Sequence, residues 1–339
     1  MSSVLLSLVA TACSKGDDGG IQGVGSGGTI YTYFAGDISS INLNNGNVTK
    51  IHDSGRGSWL NGLNDVSLDG QTYVFSVETN PARVGIDRIV FKSTSYTSLN
   101  NREDFDTNNE FDYEYEPYGV EIPHFLVSPD KKYVAAFPAV SSSSSPIDIV
   151  EVASKTERPL AVGSGSLSDD NATFVANGDL YFLRGRSLYK SSSPYTSASK
   201  IFDFYEDVTD LTINPQATKM VARRTDKHLW LMNLDGTGLT QLTTSQTPGY
   251  SRAEGEFRPT FSPDGNYIAF QGLSQLGMPL SYHDPNGDWW TSAVGGGYGY
   301  LAIIPIDGKT YNLDDQNSGV IWVTNGNDQI PTSNRIFWR

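Results

Sequence analysis

The chain has 339 residues, of which 38 are acidic and 24 basic, giving a formal charge of -14. That surplus repels nucleic acid and anionic lipid headgroups, so no nucleic-acid partner is expected. One cysteine, Cys13, leaves no intramolecular disulfide and no thiolate metal cluster, and 6 Trp, 18 Tyr and 15 Phe beside 34 Gly favour short strands and tight turns over helices.

The N-terminal stretch Val4 to Ala12 is apolar and too short to span a bilayer, which takes about 20 residues. It ends in small residues directly before Cys13, the arrangement of a cleavable signal peptide over residues 1–12. Ala10-Thr11-Ala12-Cys13 resembles the bacterial lipobox, in which the thiol receives diacylglycerol and the cysteine becomes the mature N-terminus. The match departs at Ala10, where Leu is usual, and Met1-Ser2-Ser3 lacks the customary positive charge. Ser14-Lys15-Gly16-Asp17-Asp18 resembles the acidic export signal of Bacteroidetes surface lipoproteins. Lipidation of Cys13 therefore predicts a membrane-anchored outer-membrane protein, periplasmic or cell-surface exposed, and residues 13–28, rich in glycine, are expected to form a flexible tether.

From Thr29 onward the chain repeats itself. Phe261-Ser262-Pro263-Asp264-Gly265-Asn266-Tyr267-Ile268-Ala269-Phe270 reads as strand, Pro-Asp-Gly turn and strand. Related turns centre on Asp69, Asp130, Asn177, Gln216 and Asn325, and second hairpins follow several of them at Asn45-Gly46, Asp235-Gly236 and Asp307-Gly308. Six four-stranded antiparallel meanders are predicted, hence an all-β, six-bladed β-propeller over residues 29–339. Residues 29–55 lack an inner strand before them, so N- and C-terminal strands should pair to close one blade, and Val320 to Thr324 is the expected inner strand. Arg335 to Trp338 is then a surplus strand without a slot.

The Ser-Pro-Asp-Gly turn with its alternating strand, and His228-Leu229-Trp230-Leu231-Met232-Asn233-Leu234-Asp235-Gly236 followed by Gln241-Leu242-Thr243, resemble the TolB-like β-propeller repeat. The resemblance extends over residues 29–339 and is strong in two or three blades. It implies the fold and leaves function open, because such propellers serve as scaffolds, protease gates and lyases.

Alignment on the turns brings Leu63, His124, Asn171, Asp210, Arg258 and Gly319 to one register before the inner strands, near the mouth of the central channel. Asp169, Asp170 and Glu256 stand beside it, so an acidic rim binding site is expected. A second candidate is the long insertion Leu273 to Tyr300, whose Tyr282, Trp289 and Trp290 suit stacking on sugar rings. Within it, Asp284-Pro285-Asn286-Gly287-Asp288 begins like a calcium loop, but Trp289 and Gly295 occupy positions where that motif needs Gly and Glu. A Pro-Asn-Gly turn accounts for the segment without metal, and no cofactor is expected.

No Gly-x-Ser-x-Gly elbow, zinc motif or phosphate loop is present in the sequence, so no catalytic residue is assigned. The expectation is a monomeric, non-catalytic envelope propeller that binds or scaffolds an envelope protein or glycan. The alternative is a polysaccharide-active enzyme, a lyase or hydrolase, with its site in the channel.

Overall fold

The computed structural model describes residues 21, 23–34, 36–53, 60–79, 87–115, 124–137, 146–160, 162, 171–245, 255–272, 280–283, 289–292, 299–326, 328–332 and 335–339. They form an all-β propeller of six blades. Blade 1 comprises Thr29–Phe34, Asp37–Asn42 and Asn47–His52, with Phe337–Trp338 as its inner strand. Blades 2 to 5 are continuous meanders whose inner strands are Leu60–Val66, His124–Val127, Ala172–Phe174 and Thr209–Ile213. Blade 6 runs outward from Phe257–Phe261 through Tyr267–Gly272 and Gly299–Pro305, whose outer edge pairs with Ile321–Trp322 and Pro331–Thr332. The inner strands of blades 2 to 6 touch in ring order, Phe257–Phe261 then touches Phe337–Trp338, and Thr29–Phe34 of blade 1 touches Leu60–Val66 of blade 2.

The strands alternate, yet both alternating faces are apolar, because each blade is covered on both sides by its neighbours. In blade 2, Val74 joins Phe125 and Val127 of blade 3, while Tyr73 and Phe75 join Tyr31 and Phe337 of blade 1. Six apolar clusters result, one at each of the six seams between blades.

Three inner hairpins turn on the same device, and a fourth on a variant of it. In Ser262-Pro263-Asp264-Gly265 the Ser262 hydroxyl donates to Asp264 Oδ1 at 2.6 Å and accepts from Tyr267 N at 2.9 Å. Ser67 with Asp69 and Ser128 with Asp130 repeat it. In the weak copy Asn214-Pro215-Gln216-Ala217, Asn214 Oδ1 replaces the serine and accepts from Lys219 N at 2.8 Å. The fourth turn residue is left-handed every time: Gly70, Lys131, Gly178, Ala217 and Gly265 have φ of 68°, 58°, 89°, 52° and 77°.

Three expectations are corrected. The inner strand of blade 1 is Phe337–Trp338, which pairs Tyr31 with Phe337 and Ile30 with Trp338, and not residues 320–324. An inner strand is packed from both sides, and Phe337 and Trp338 are buried at 3% and 1% exposure, whereas Ile321 and Trp322 remain half-exposed at the outer edge of blade 6. Consequently the turn at Asn325 belongs to the small hairpin of Thr324–Asn325 with Asp328–Gln329, and Gly319 is not a rim position. The glycine-rich stretch is also no free tether over residues 21 and 23–28. Ile21 enters the seam between blades 6 and 1 and donates its N–H to Leu43 O at 3.0 Å. Its glycines permit close approach, since a Cβ on Gly27 would stand 2.5 Å from Asn44 Oδ1 and one on Gly28 2.4 Å from Arg339 O. The stretch after Asn100 supplies the short helix Arg102–Asp106 and the outer strand Phe111–Tyr115 of blade 2, clamped as Arg88 binds Asp106 and Asp112. Residues 1–20, with Cys13, lie outside the described residues.

Candidate functional site: the channel and its rim

The inner strands start at one end of the ring, here the rim face, and run to the Ser-Pro-Asp-Gly turns at the other. They start irregularly. Pairing slips between Thr209 and Thr212 and between Phe257 and Thr260, and Asp210 and Arg258, at the slips, both have φ of 51°. The bulge aims the Asp210 side chain across the seam, where Oδ1 accepts from Arg258 N at 3.1 Å. Asn171 Oδ1 accepts from Leu211 N at 3.4 Å, and Asn64 Oδ1 from Phe125 N at 3.0 Å. Side chains at the starts of three blades thus staple each to the backbone of the next.

The other predicted rim residues divide. His124 opens its inner strand and is half-buried. Arg258 is half-buried and its Nη1 donates to Gln271 Oε1 at 2.9 Å. Glu256 does not face the mouth: it is fully buried, and its Oε2 accepts from His228 Nδ1 at 2.9 Å and from Thr243 Oγ1 at 2.7 Å. That hydrogen bond raises the His228 pKa above its ordinary 6.5, against the opposing effect of burial. Asp169 and Asp170 lie outside the described residues, as does Asp284 to Asp288, the segment compared with a calcium loop. The backbone around Tyr282, Trp289 and Trp290 forms a separate two-stranded hairpin, Leu280–His283 with Trp289–Ser292, in which Tyr282 stands opposite Trp290.

Sequence reasoning missed the channel interior. A narrow channel of about 30 Å³ is lined by residues from all six blades, among them Asp65, Thr173, Thr212, Thr260, Arg335 and Arg339. Arg335, Ile336, Phe337 and Arg339 bring the C-terminal end of the chain to this lining, and no motif in the sequence marks them. Asp65 is buried; its Oδ1 accepts from Val66 N at 2.8 Å and from Arg339 Nη2 at 3.1 Å, and its Oδ2 from Val127 N at 2.9 Å. Burial pushes the Asp65 carboxyl up from the usual range, opposed by Arg339 and by these backbone donors. Burial likewise pushes Arg339 down, with Asp65 opposing and Arg335 adding like-charge repulsion. Arg335 also bonds the Ala172 carbonyl, so the closing strand is tied to blades 2 and 4 from inside the ring.

No protein-family model and no curated protein matches the chain. Among solved structures, TolB from Acinetobacter baumannii superimposes with a TM-score of 0.54 at 13% identity, over 83% of this chain and 62% of that one. The chain folds as a TolB-like β-propeller. It spans less than two thirds of the TolB chain, and at that identity the likeness concerns the fold. Hydrazine synthase from Kuenenia stuttgartiensis aligns over 75% of this chain and 66% of its own at 14% identity, with a TM-score of 0.44 too low to carry any argument. In all, 1052 solved chains match, and the function must be argued from this chain's own residues.

Proposed function

We propose that this propeller is a non-catalytic cell-envelope lipoprotein, anchored through Cys13, that holds an envelope protein or glycan on its rim face. The observation that carries this reading is the stapled rim with an aromatic side chain standing clear of it. Tyr205 is 98% exposed. It lies between blades 4 and 5 beside the Gly185-Arg186 turn, where Arg186 donates to the Tyr205 carbonyl and pairs with Asp207 at 2.7 Å. Its neighbour Glu206 bonds Arg224 and Thr225, so the backbone under Tyr205 is fixed from both sides. A rigidly based, solvated tyrosine next to charged groups is the kind of side chain on which partner recognition concentrates.

The test is capture of acidic and neutral polysaccharides, and of envelope proteins by crosslinking, with the intact lipoprotein. Tyr205→Ala should weaken capture by about tenfold or more at an unchanged melting temperature, and Cys13→Ala should release the protein into the soluble fraction. Unchanged capture by Tyr205→Ala, or new reducing ends or unsaturated products from a polysaccharide, would overturn the reading in favour of another surface or of the enzymatic alternative.

A further inference from the structure

The two ends of the ring differ in where the chain enters. Residues 21 and 23–28 lie across the turn face, at the seam between blades 6 and 1, and they are fixed there. Ile21 is buried and donates its N–H to Leu43 O at 3.0 Å, while Leu43 N donates to Gly28 O at 2.9 Å. Gly25 N donates to Tyr267 Oη at 2.9 Å, and the buried Ser26 hydroxyl donates to the Asp264 carboxylate in the Ser-Pro-Asp-Gly turn. Trp338 Nε1 adds a bond to Gly27 O at 3.0 Å. Leu43 follows the second strand of blade 1 and Tyr267 follows the turn of blade 6, so these partners stand at the turn end of their blades. Tyr205 stands at the other end, between Ser199–Asp203 and Thr209–Ile213.

Eight chain steps lead from Cys13 to Ile21. Fully drawn out they reach about 26–29 Å. The strands of 5 to 7 residues that set the height of a blade are roughly 17–23 Å tall. Acyl chains on Cys13 reach a bilayer beneath the turn face with almost no demand on that length. A bilayer against the rim would take most of it to run up the outside of a blade, with chain entropy opposing. Charge permits the approach. In a protein of net charge -14, the turn-face carboxylates Asp69, Asp130, Asp179 and Asp307 pair with Lys131, Lys132, Lys190 and Lys309 at 2.9, 3.4, 2.9 and 2.6 Å. At these four positions the face presents paired and not free negative charge to headgroups. We propose, on the basis of the lipid anchor at Cys13, that the docked segment orients the molecule, turn face toward the bilayer that holds the acyl chains and rim face, with Tyr205, away from it. A partner on the rim then arrives from the aqueous compartment and not from the same membrane.

The experiment is energy transfer from the lipidated chain, reconstituted in phosphatidylcholine vesicles, to an acceptor fluorophore on a fraction of the headgroups. The donor sits on one introduced cysteine, Lys132→Cys on the turn face or Asp207→Cys on the rim, positions whose side chains are 72% and 74% exposed; the Cys13 thiol is occupied by the lipid. Transfer from position 132 should exceed that from position 207 by an amount that places the rim label roughly 20 Å farther from the headgroups, the height of a blade. Equal transfer from both, or stronger transfer from position 207, would overturn the orientation. Inserting about twenty Gly-Ser residues between Asp18 and Gly19 lets the anchor reach either face and should remove most of the difference. A difference that survives the insertion would overturn the role of the docked segment. Protein that fails to sediment with the vesicles removes the anchor and the orientation with it, whereas vesicle-bound protein whose two faces report alike removes the orientation alone.

Discussion

Buried Glu256 shows how a side chain that reads as a surface acid becomes part of the core. Its Oε2 gathers His228 and Thr243, while Oε1 is buried without a hydrogen-bond partner among the described residues. A buried carboxylate in that position is stabilised by a positive partner, and His228 supplies one when protonated. Because the folded-state His228 pKa is raised, its contribution to stability is present in full below about pH 6.5 and is lost as pH rises through the raised value. Glu256→Gln should therefore destabilise the propeller most at and below that pH, with the gap to the parent narrowing as the solution becomes more basic. Denaturant unfolding of both proteins across the range measures it, and a gap that is flat or widens with pH would contradict the pairing. At this scale the sequence was least legible. Asn171 and Asp210 look like binding groups at a channel mouth, and whether such a group faces solvent or a neighbouring N–H depends on a local bulge that no motif marks.

Turns were far more legible, because the hydrogen bonds that make them are local. Ser-Pro-Asp-Gly announces itself through Ser and Asp side chains that cap their own hairpin, and even Asn214 to Ala217 reproduces the geometry with a different side chain. That copy also carries a strain: Ala217 holds φ of 52°, a conformation costing a residue with a side chain roughly 1–2 kcal/mol. Ala217→Gly should stabilise the protein, by roughly 0.5–1 kcal/mol after the extra chain entropy of glycine is subtracted, seen as a higher denaturation midpoint; a lower midpoint would show that the turn does not need the left-handed residue. The closing strand was misplaced for a converse reason. Ile321–Trp322 and Phe337–Trp338 are equally short apolar runs, and only the seams on either side of blade 1 distinguish them. Phe337 packs toward blade 2 and Trp338 toward blade 6, and no local pattern in residues 320–338 contains that information.

For the whole molecule, the repeat count and the need to pair the two chain ends were legible from the sequence, since six units must bury twelve blade faces against one another. What a linear repeat does not contain is the channel, whose lining comes from six distant segments. The rim staples, the channel arginines and the rigid base of Tyr205 all presuppose one closed ring, and five of its six inner strands are held by a covalent hairpin. The sixth is held by Phe337–Trp338 pairing with Tyr31 and Ile30, by the two main-chain bonds between Thr29 and Arg339, and by Arg339 on Asp65 and Val66. The direct test is thermal unfolding of the protein lacking residues 335–339 beside the full-length chain. Opening the ring removes packing from two seams and bares the Thr29–Phe34 edge, so the shortened protein should aggregate or melt well below the parent. A shortened protein that melts cooperatively at the parental temperature would contradict the closed propeller and, with it, the rim site.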